Sequence, residues 1–115
     1  MINNRIKTIF FILIFISLAT SLFAVDEYVS NIYKEIDESF AKKSEEVLNE
    51  ILQKYQNDKN YYLIENYAQK KVRRLVLSDE YNFAMSAIVI IIENNLDNES
   101  ALELYSMISD AYDEQ

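Results

Sequence analysis

The side chains of this sequence that could do chemistry are its carboxylates, because it contains 19 Asp and Glu but no His and no Cys. Without imidazole or thiol groups, the usual general bases, thiol nucleophiles and most transition-metal sites are excluded. Two close carboxylate pairs remain, Glu46 with Glu50 at the i, i+4 spacing of a helix, and the neighbours Asp79 and Glu80. A glycosidase needs two such groups facing each other across a cleft. We expect these acids to be solvated surface groups, so that the protein has no catalytic or metal site, uses no cofactor and is not an enzyme.

The basic residues cluster in one short stretch, KKVRR at residues 70–74. These cations could bind an acidic partner or a carboxylate, or they could neutralise the acidic turns and the C-terminal helix of the same chain; the second interpretation is preferred. Tyr62 lies off the main apolar stripe and is the best candidate for an exposed aromatic anchor at an interface. The predicted partner-binding residues are therefore Tyr62, Lys70, Lys71, Arg73 and Arg74.

The first two dozen residues have the pattern of a secretory signal peptide. A short segment with two cations precedes an apolar run over residues 9–19, and small residues follow. That run is shorter than the ~20 residues of a membrane-spanning helix. We predict a signal peptide over residues 1–24 with cleavage between Ala24 and Val25; Ser21 is a second cleavage site to consider, and an uncleaved N-terminal anchor is the alternative.

Loss of this signal leaves a strongly acidic protein. Residues 25–115 carry nine Lys and Arg against 19 Asp and Glu, a net charge of −10, and nine of these acids but no cation follow Arg74. Such a surface repels nucleic acid and anionic membranes and favours cationic partners. We expect an exported protein, periplasmic, extracellular or at a cell surface, that binds no nucleic acid and has no stable membrane span after signal removal.

The absence of Gly and Pro favours helices joined by Asn, Asp and Ser turns over tight β-hairpins. Apolar residues recur at spacings of three and four, which places them on one face of a helix. These stripes cover residues 25–40, 47–55, 61–75 and 101–112, and polar turns are predicted at residues 56–60, 77–80 and 94–100. We expect residues 25–115 to form a single all-α domain of about five antiparallel helices, stacked as α-hairpins or arranged as a small bundle. The first two helices break at Ser39 or Ser44, or form one long helix over residues 26–55.

The stretch AIVIIIENN, residues 87–95, contains five consecutive β-branched aliphatics. On an α-helix five residues turn through about 500°, so no single apolar face can hide them. A strand would find only residues 72–77 as a β-like partner, and an isolated two-stranded hairpin is marginal in water. A membrane anchor would need a longer run. We therefore predict a central helix that is buried on all sides, through Ala84, Ile88, Val89, Ile90, Ile91 and Ile92.

Residues 79–112 resemble the second helix of a tetratricopeptide repeat, the turn after it and the first helix of the next repeat. The family places an aromatic residue three positions before a small alanine, and a Leu-Asp-Pro-Asn type turn after the helix. A shift of the chain by 41 residues also superposes Leu63 on Leu104, as stacked hairpins would. The matching positions are Tyr81 and Ala84 in the helix and Leu96, Asp97 and Asn98 in the turn. Over residues 40–112 the resemblance implies stacked α-hairpins with a groove for peptides or partner proteins.

These features favour an exported, non-enzymatic helical module that binds a protein or peptide. The alternative is an acidic inhibitor or immunity-type protein that neutralises a basic partner enzyme, which the net charge and the cation-free C-terminal part favour. A small enzyme that uses carboxylates alone is a third hypothesis. Because five helices need not enclose residues 88–92 on every side, a homodimer is a further arrangement to test.

Overall fold

The computed structural model describes residues 27–113. The predicted signal peptide and its cleavage position between Ala24 and Val25 lie outside these residues. The described residues form five α-helices and no strand, so the predicted all-α fold class is confirmed. No helix among them is both long and apolar enough to span a membrane.

Short polar turns join the five helices in chain order. The chain divides into two compact units, Met1–Asn31 and Ile32–Gln115. In the first unit only residues 27–31 are described, and they are helical. The helices are α1 (27–41), α2 (Glu45–Lys54), α3 (Tyr61–Leu77), α4 (Tyr81–Asn94) and α5 (Glu99–Asp113).

The break between α1 and α2 is built by local backbone chemistry. Lys43 adopts a left-handed φ of 51°, which ends α1, and the Ser44 side chain then accepts a hydrogen bond of 3.2 Å from the backbone N–H of Val47. Such an N-cap stabilises a helix by about 1 kcal/mol. The Ser39 hydroxyl instead donates to the Ile36 carbonyl inside α1, at 2.7 Å. The break therefore lies at Ser44, and the alternative of one long helix over residues 26–55 is wrong.

Helix α4 lies at the centre of the contacts in the second unit, because it packs against α2, α3 and α5. Its Phe83 ring meets Phe40 of α1 edge-to-face, with the ring centroids 5.4 Å apart. Ile64, Ala68 and Val72 supply the facing stripe of α3, and all three are fully buried. The core is therefore made by α4 together with one stripe from each of its neighbours.

The aliphatic run on α4 is covered unevenly. Ala84, Ile88 and Ile91 have no exposed surface. The side of the helix that carries Val89, Ile90 and Ile92 keeps an intermediate exposure, although Ile90 and Ile92 still pack against the core. The prediction of burial on all sides is corrected for these three residues, because α2, α3 and α5 leave part of the circumference of α4 open.

Substitutions at adjacent positions of α4 test this uneven coverage. We expect Ile88→Ala to lower the free energy of unfolding by about 2–5 kcal/mol, because it leaves a cavity in the core. The control Val89→Ala changes a partly exposed side chain and should lower it by about 1 kcal/mol or less. Urea unfolding monitored by circular dichroism measures the free energy of unfolding of both variants. Equal losses for the two variants would contradict the packing described here.

Candidate partner-binding site

The outward face of α3 forms the floor of a groove of about 600 Å³. Tyr33 of α1 and Ser100 of α5 contribute to the lining, and all other lining residues belong to α3. Their spacing of three and four places them along one face of the helix. We call this the α3 groove; its α3 residues are Leu63, Asn66, Tyr67, Gln69, Lys70, Arg73 and Arg74.

Two stacked tyrosines form one wall of the α3 groove. The rings of Tyr33 and Tyr67 lie nearly parallel, 9° apart, with a centroid distance of 3.9 Å. The Tyr67 hydroxyl donates to Asp37 at 2.7 Å, and Lys71 forms an ion pair with the same carboxylate at 3.0 Å. These contacts hold the Tyr67 ring in position, which lowers the ordering cost of binding a ligand against this wall.

The same contacts set the ionisation of Asp37 and Tyr67. Partial burial raises the pKa of Asp37, but the hydrogen bonds from Tyr67 and Lys71 outweigh burial, so this pKa lies below its ordinary value. Burial, and then the hydrogen bond to the Asp37 carboxylate, raise the pKa of Tyr67. At neutral pH Tyr67 therefore remains a hydrogen-bond donor to a charged Asp37.

The structure separates the four predicted cations into two groups. Lys71 is half-buried and paired with Asp37 of α1, rather than with an acidic turn or the C-terminal helix. Lys70, Arg73 and Arg74 are exposed along the α3 groove, and within residues 27–113 none of them takes part in an ion pair. Neutralisation by the same chain therefore accounts for Lys71. Lys70, Arg73 and Arg74 face solvent, although the charge of Arg74 also helps to lower the pKa of Asp37.

Tyr62 lies in the first turn of α3, close to the α3 groove but outside its lining. Its side chain is 63% exposed, the most exposed aromatic side chain among the described residues. The neighbouring Tyr61 is instead packed against the core. Tyr62 is thus available as a contact at the end of the groove where Leu63 and Asn66 lie.

The carboxylates singled out for chemistry lie apart from this groove. Glu46 and Glu50 are exposed on α2, and Asp79 and Glu80 are exposed in the turn between α3 and α4. Glu80 forms an exposed ion pair with Lys43 at 3.5 Å. In the part of the chain that the structure describes, no three acidic side chains are placed to hold a metal ion.

Sequence reasoning missed a buried carboxylate, Glu65, which is only 5% exposed. It lies on the core-facing side of α3, one position after Ile64 and three before Ala68. This position beside the apolar stripe was the sequence signal that could have indicated its burial. Its carboxylate accepts hydrogen bonds from the side-chain amides of Asn95 and Asn98. Glu65 therefore ties α3 to the turn between α4 and α5.

Asn98 also caps the start of α5, which it directly precedes. Its side-chain oxygen accepts a hydrogen bond of 3.1 Å from the backbone N–H of Ala101, and one of 2.8 Å from the Ser100 hydroxyl. That hydroxyl lies within 3.0 Å of the Gln69 side-chain oxygen as well. The start of α5 and the edge of the α3 groove are thus held by one set of polar contacts.

Nε2 of Gln69 is buried beside these contacts and lacks a hydrogen-bond partner among the described residues. The buried Tyr61 hydroxyl lies close to the Glu65 carboxylate. Burial first, and then the nearby charge of Glu65, raise the pKa of Tyr61 to about 12. Gln69 is 4% exposed and lines the α3 groove. A buried donor without an acceptor costs free energy, so Nε2 of Gln69 is a cost that the folded protein carries beside the groove.

Comparisons of the chain with protein families, with characterised proteins and with solved structures find no match.

A substitution at Glu65 should reveal the cost of the buried charge. Burial raises the pKa of Glu65 above its ordinary value of 4.5, and the hydrogen bonds from Asn95 and Asn98 offset only part of that effect. The folded protein then holds this proton more tightly than the unfolded chain. The contribution of Glu65 to stability is therefore largest in acid and falls as the pH rises through the raised pKa.

We expect Glu65→Gln to gain stability relative to the parent protein as the pH is raised from about 4 to 7. Thermal unfolding across this range measures the difference between the two melting temperatures. The control Glu46→Gln removes an exposed carboxylate and should show no such trend. A difference for Glu65→Gln that shrinks with rising pH would contradict the assignment.

Proposed function

We propose that this protein is an exported, non-enzymatic helical module that binds a partner protein or peptide, with the α3 groove as its binding surface. The observation that carries the proposal is the set of exposed cations along this groove, Lys70, Arg73 and Arg74. They face solvent in a chain whose formal net charge is −8. Cations grouped beside a fixed aromatic wall are typical of a surface that contacts another protein.

The shape of the site supports binding rather than catalysis. The α3 groove is lined by cations, amides, tyrosines, one leucine and one serine, which can hold a ligand but include no general base of ordinary pKa near neutrality. The export part of the proposal rests on the signal pattern over residues 1–24. The proposed likeness to a tetratricopeptide hairpin, carried by Tyr81, Ala84 and the turn after α4, also fits a peptide-binding role.

A second candidate function is an acidic inhibitor of a basic enzyme, and the surface of α5 favours it. Leu102 and Met107 are exposed there, 43% and 65% respectively, beside the exposed acids Glu103 and Asp110. No Lys or Arg follows Arg74 in the sequence. An apolar contact surrounded by negative charge suits a cationic partner, and its binding should weaken as salt is added.

Site-specific photo-crosslinking in the native host distinguishes these two functions. A photoreactive residue is placed at Asn66 in the α3 groove, at Ser106 on α5, or at the control position Asn57 in the turn after α2; all three side chains are exposed. We expect one dominant protein adduct from Asn66 and none from Asn57. The partner is then purified, and its affinity should fall about tenfold on Arg73→Glu.

Other results of the crosslinking and of activity measurements would indicate a different function. An adduct from Ser106 alone, with a basic enzyme, would replace the proposed function with the inhibitor. An adduct with a second copy of this chain would identify a homodimer as the occupant of the groove. A hydrolytic activity of the purified protein that is lost on Glu46→Gln or Glu80→Gln would overturn the non-enzymatic assignment.

A further inference from the structure

We propose that the occupant of the α3 groove is a short, extended, acidic segment of the partner, with an apolar residue at the Leu63 end and carboxylates at the Lys70, Arg73 and Arg74 end. This inference rests on the proposed function and specifies the chemistry of its ligand. Four properties of the groove support it: clustered positive charge, length, the change of polarity along the helix, and the size of the positive surface.

The first property is the clustering of positive charge. Lys70 lies three residues before Arg73 and four before Arg74, so the three cations are neighbours on the same face of α3. Like charges at these spacings repel each other. Lys43, Lys54 and Lys71 each have an acidic ion-pair partner within the described residues, whereas these three cations have none, and neither do Lys34, Lys42 and Lys59. Lys70, Arg73 and Arg74 differ from those three lysines because they lie together along one groove, although the charge of Arg74 also acts on Asp37. A bound carboxylate would relieve the repulsion, as Asp37 does for Lys71.

The second property is length. From Leu63 to Arg74 the groove follows eleven residue steps of α3, roughly 16 Å at the helical rise of 1.5 Å per residue. An extended chain rises about 3.3 Å per residue, so a segment of about five residues spans this distance. A single carboxylate would fill only one end, which favours a peptide segment over a small anion.

The third property is the change of polarity along the groove. Leu63 and Asn66 lie towards the start of α3, and the exposed Tyr62 adjoins them. The cations lie in the second half of α3, and Arg74 is in its last turn, where positive charge also suits the helix dipole. Between the two ends, the rings of Tyr33 and Tyr67 form the wall. In an extended ligand, three to five residues span the distance from Leu63 to the cations. We therefore expect the apolar residue of the ligand to lie three to five positions from its acids.

The fourth property is the limited size of the positive surface, which identifies the ligand as a protein segment. Nine acids follow Arg74 in the sequence, and the exposed Asp79 and Glu80 lie directly after α3. A nucleic acid, with its regular phosphates, would be repelled beyond the groove. A five-residue segment ends before it reaches these acids.

Selection from a library of random peptides displayed on phage tests this inference without knowledge of the partner. The bait is the exported protein produced from its full chain. We expect the enriched peptides to contain two or more Asp or Glu and one Leu, Ile, Phe or Tyr. The most enriched sequence is then synthesised with a fluorescent label, and its dissociation constant is measured by anisotropy.

Two double variants of equal net charge give the decisive comparison. Lys70→Glu/Arg73→Glu reverses two groove cations, whereas Lys42→Glu/Lys59→Glu reverses two exposed cations elsewhere. We expect about tenfold weaker binding or more for the groove variant, and less than about a twofold change for the control. Circular dichroism of both variants establishes that they are folded. Added salt should weaken binding to the parent protein.

The failures of the two proposals are distinguishable. If the enriched peptides lack acids but bind the groove variant more weakly than the parent protein, the prediction of an acidic ligand is wrong and the proposed function stands. If no peptide is enriched, or if the groove and control variants lose affinity equally, the groove is not a peptide site and the acidic-segment inference fails. In that case only an adduct from Asn66 would still support the proposed function.

Discussion

The structure depends on one constraint, the need to cover the aliphatic run of α4. Ile88 and Ile91 are fully buried because α2, α3 and α5 each place an apolar stripe against this helix. Each large aliphatic side chain removed from water contributes roughly 1.5–3 kcal/mol, so few of them could be left exposed in a domain of this size. The positions of the other helices follow from this requirement. Since the inner stripe of α3 is committed to α4, its opposite face is free to form the groove.

The polar contacts of the protein maintain that arrangement at its edges. Glu65, Asn95 and Asn98 join α3 to the turn between α4 and α5. Asp37 holds Lys71 and Tyr67, and so joins α1 to α3. The first set lies by the Ser100 side of the α3 groove and the second lies by its tyrosine wall. The proposed binding surface is therefore supported on both sides by contacts that also fix the helix packing.

The sequence predicts the local features well and the long-range ones poorly. The helix stripes and the polar turns depend on neighbouring residues, so their positions could be read directly. The break at Ser44 depends on a left-handed backbone conformation at Lys43, and the sequence has no glycine there that would have indicated it. The role of Glu65 depends on amides about 30 residues away, and the role of Lys71 depends on where Asp37 comes to lie. The partial exposure of Val89 likewise depends on which sides of α4 its neighbours leave open.

Native-state hydrogen exchange of the backbone amides tests the central claim most directly, because it measures the opening free energy of each helix. If α4 is the helix on which the packing depends, its amides from Ala84 to Ile91 should exchange only through global unfolding. Their opening free energy should equal the free energy of unfolding of the whole protein. Both free energies should decrease with denaturant concentration at the same slope. Exchange of α4 through a smaller opening, while α2 and α3 remain protected, would contradict the account.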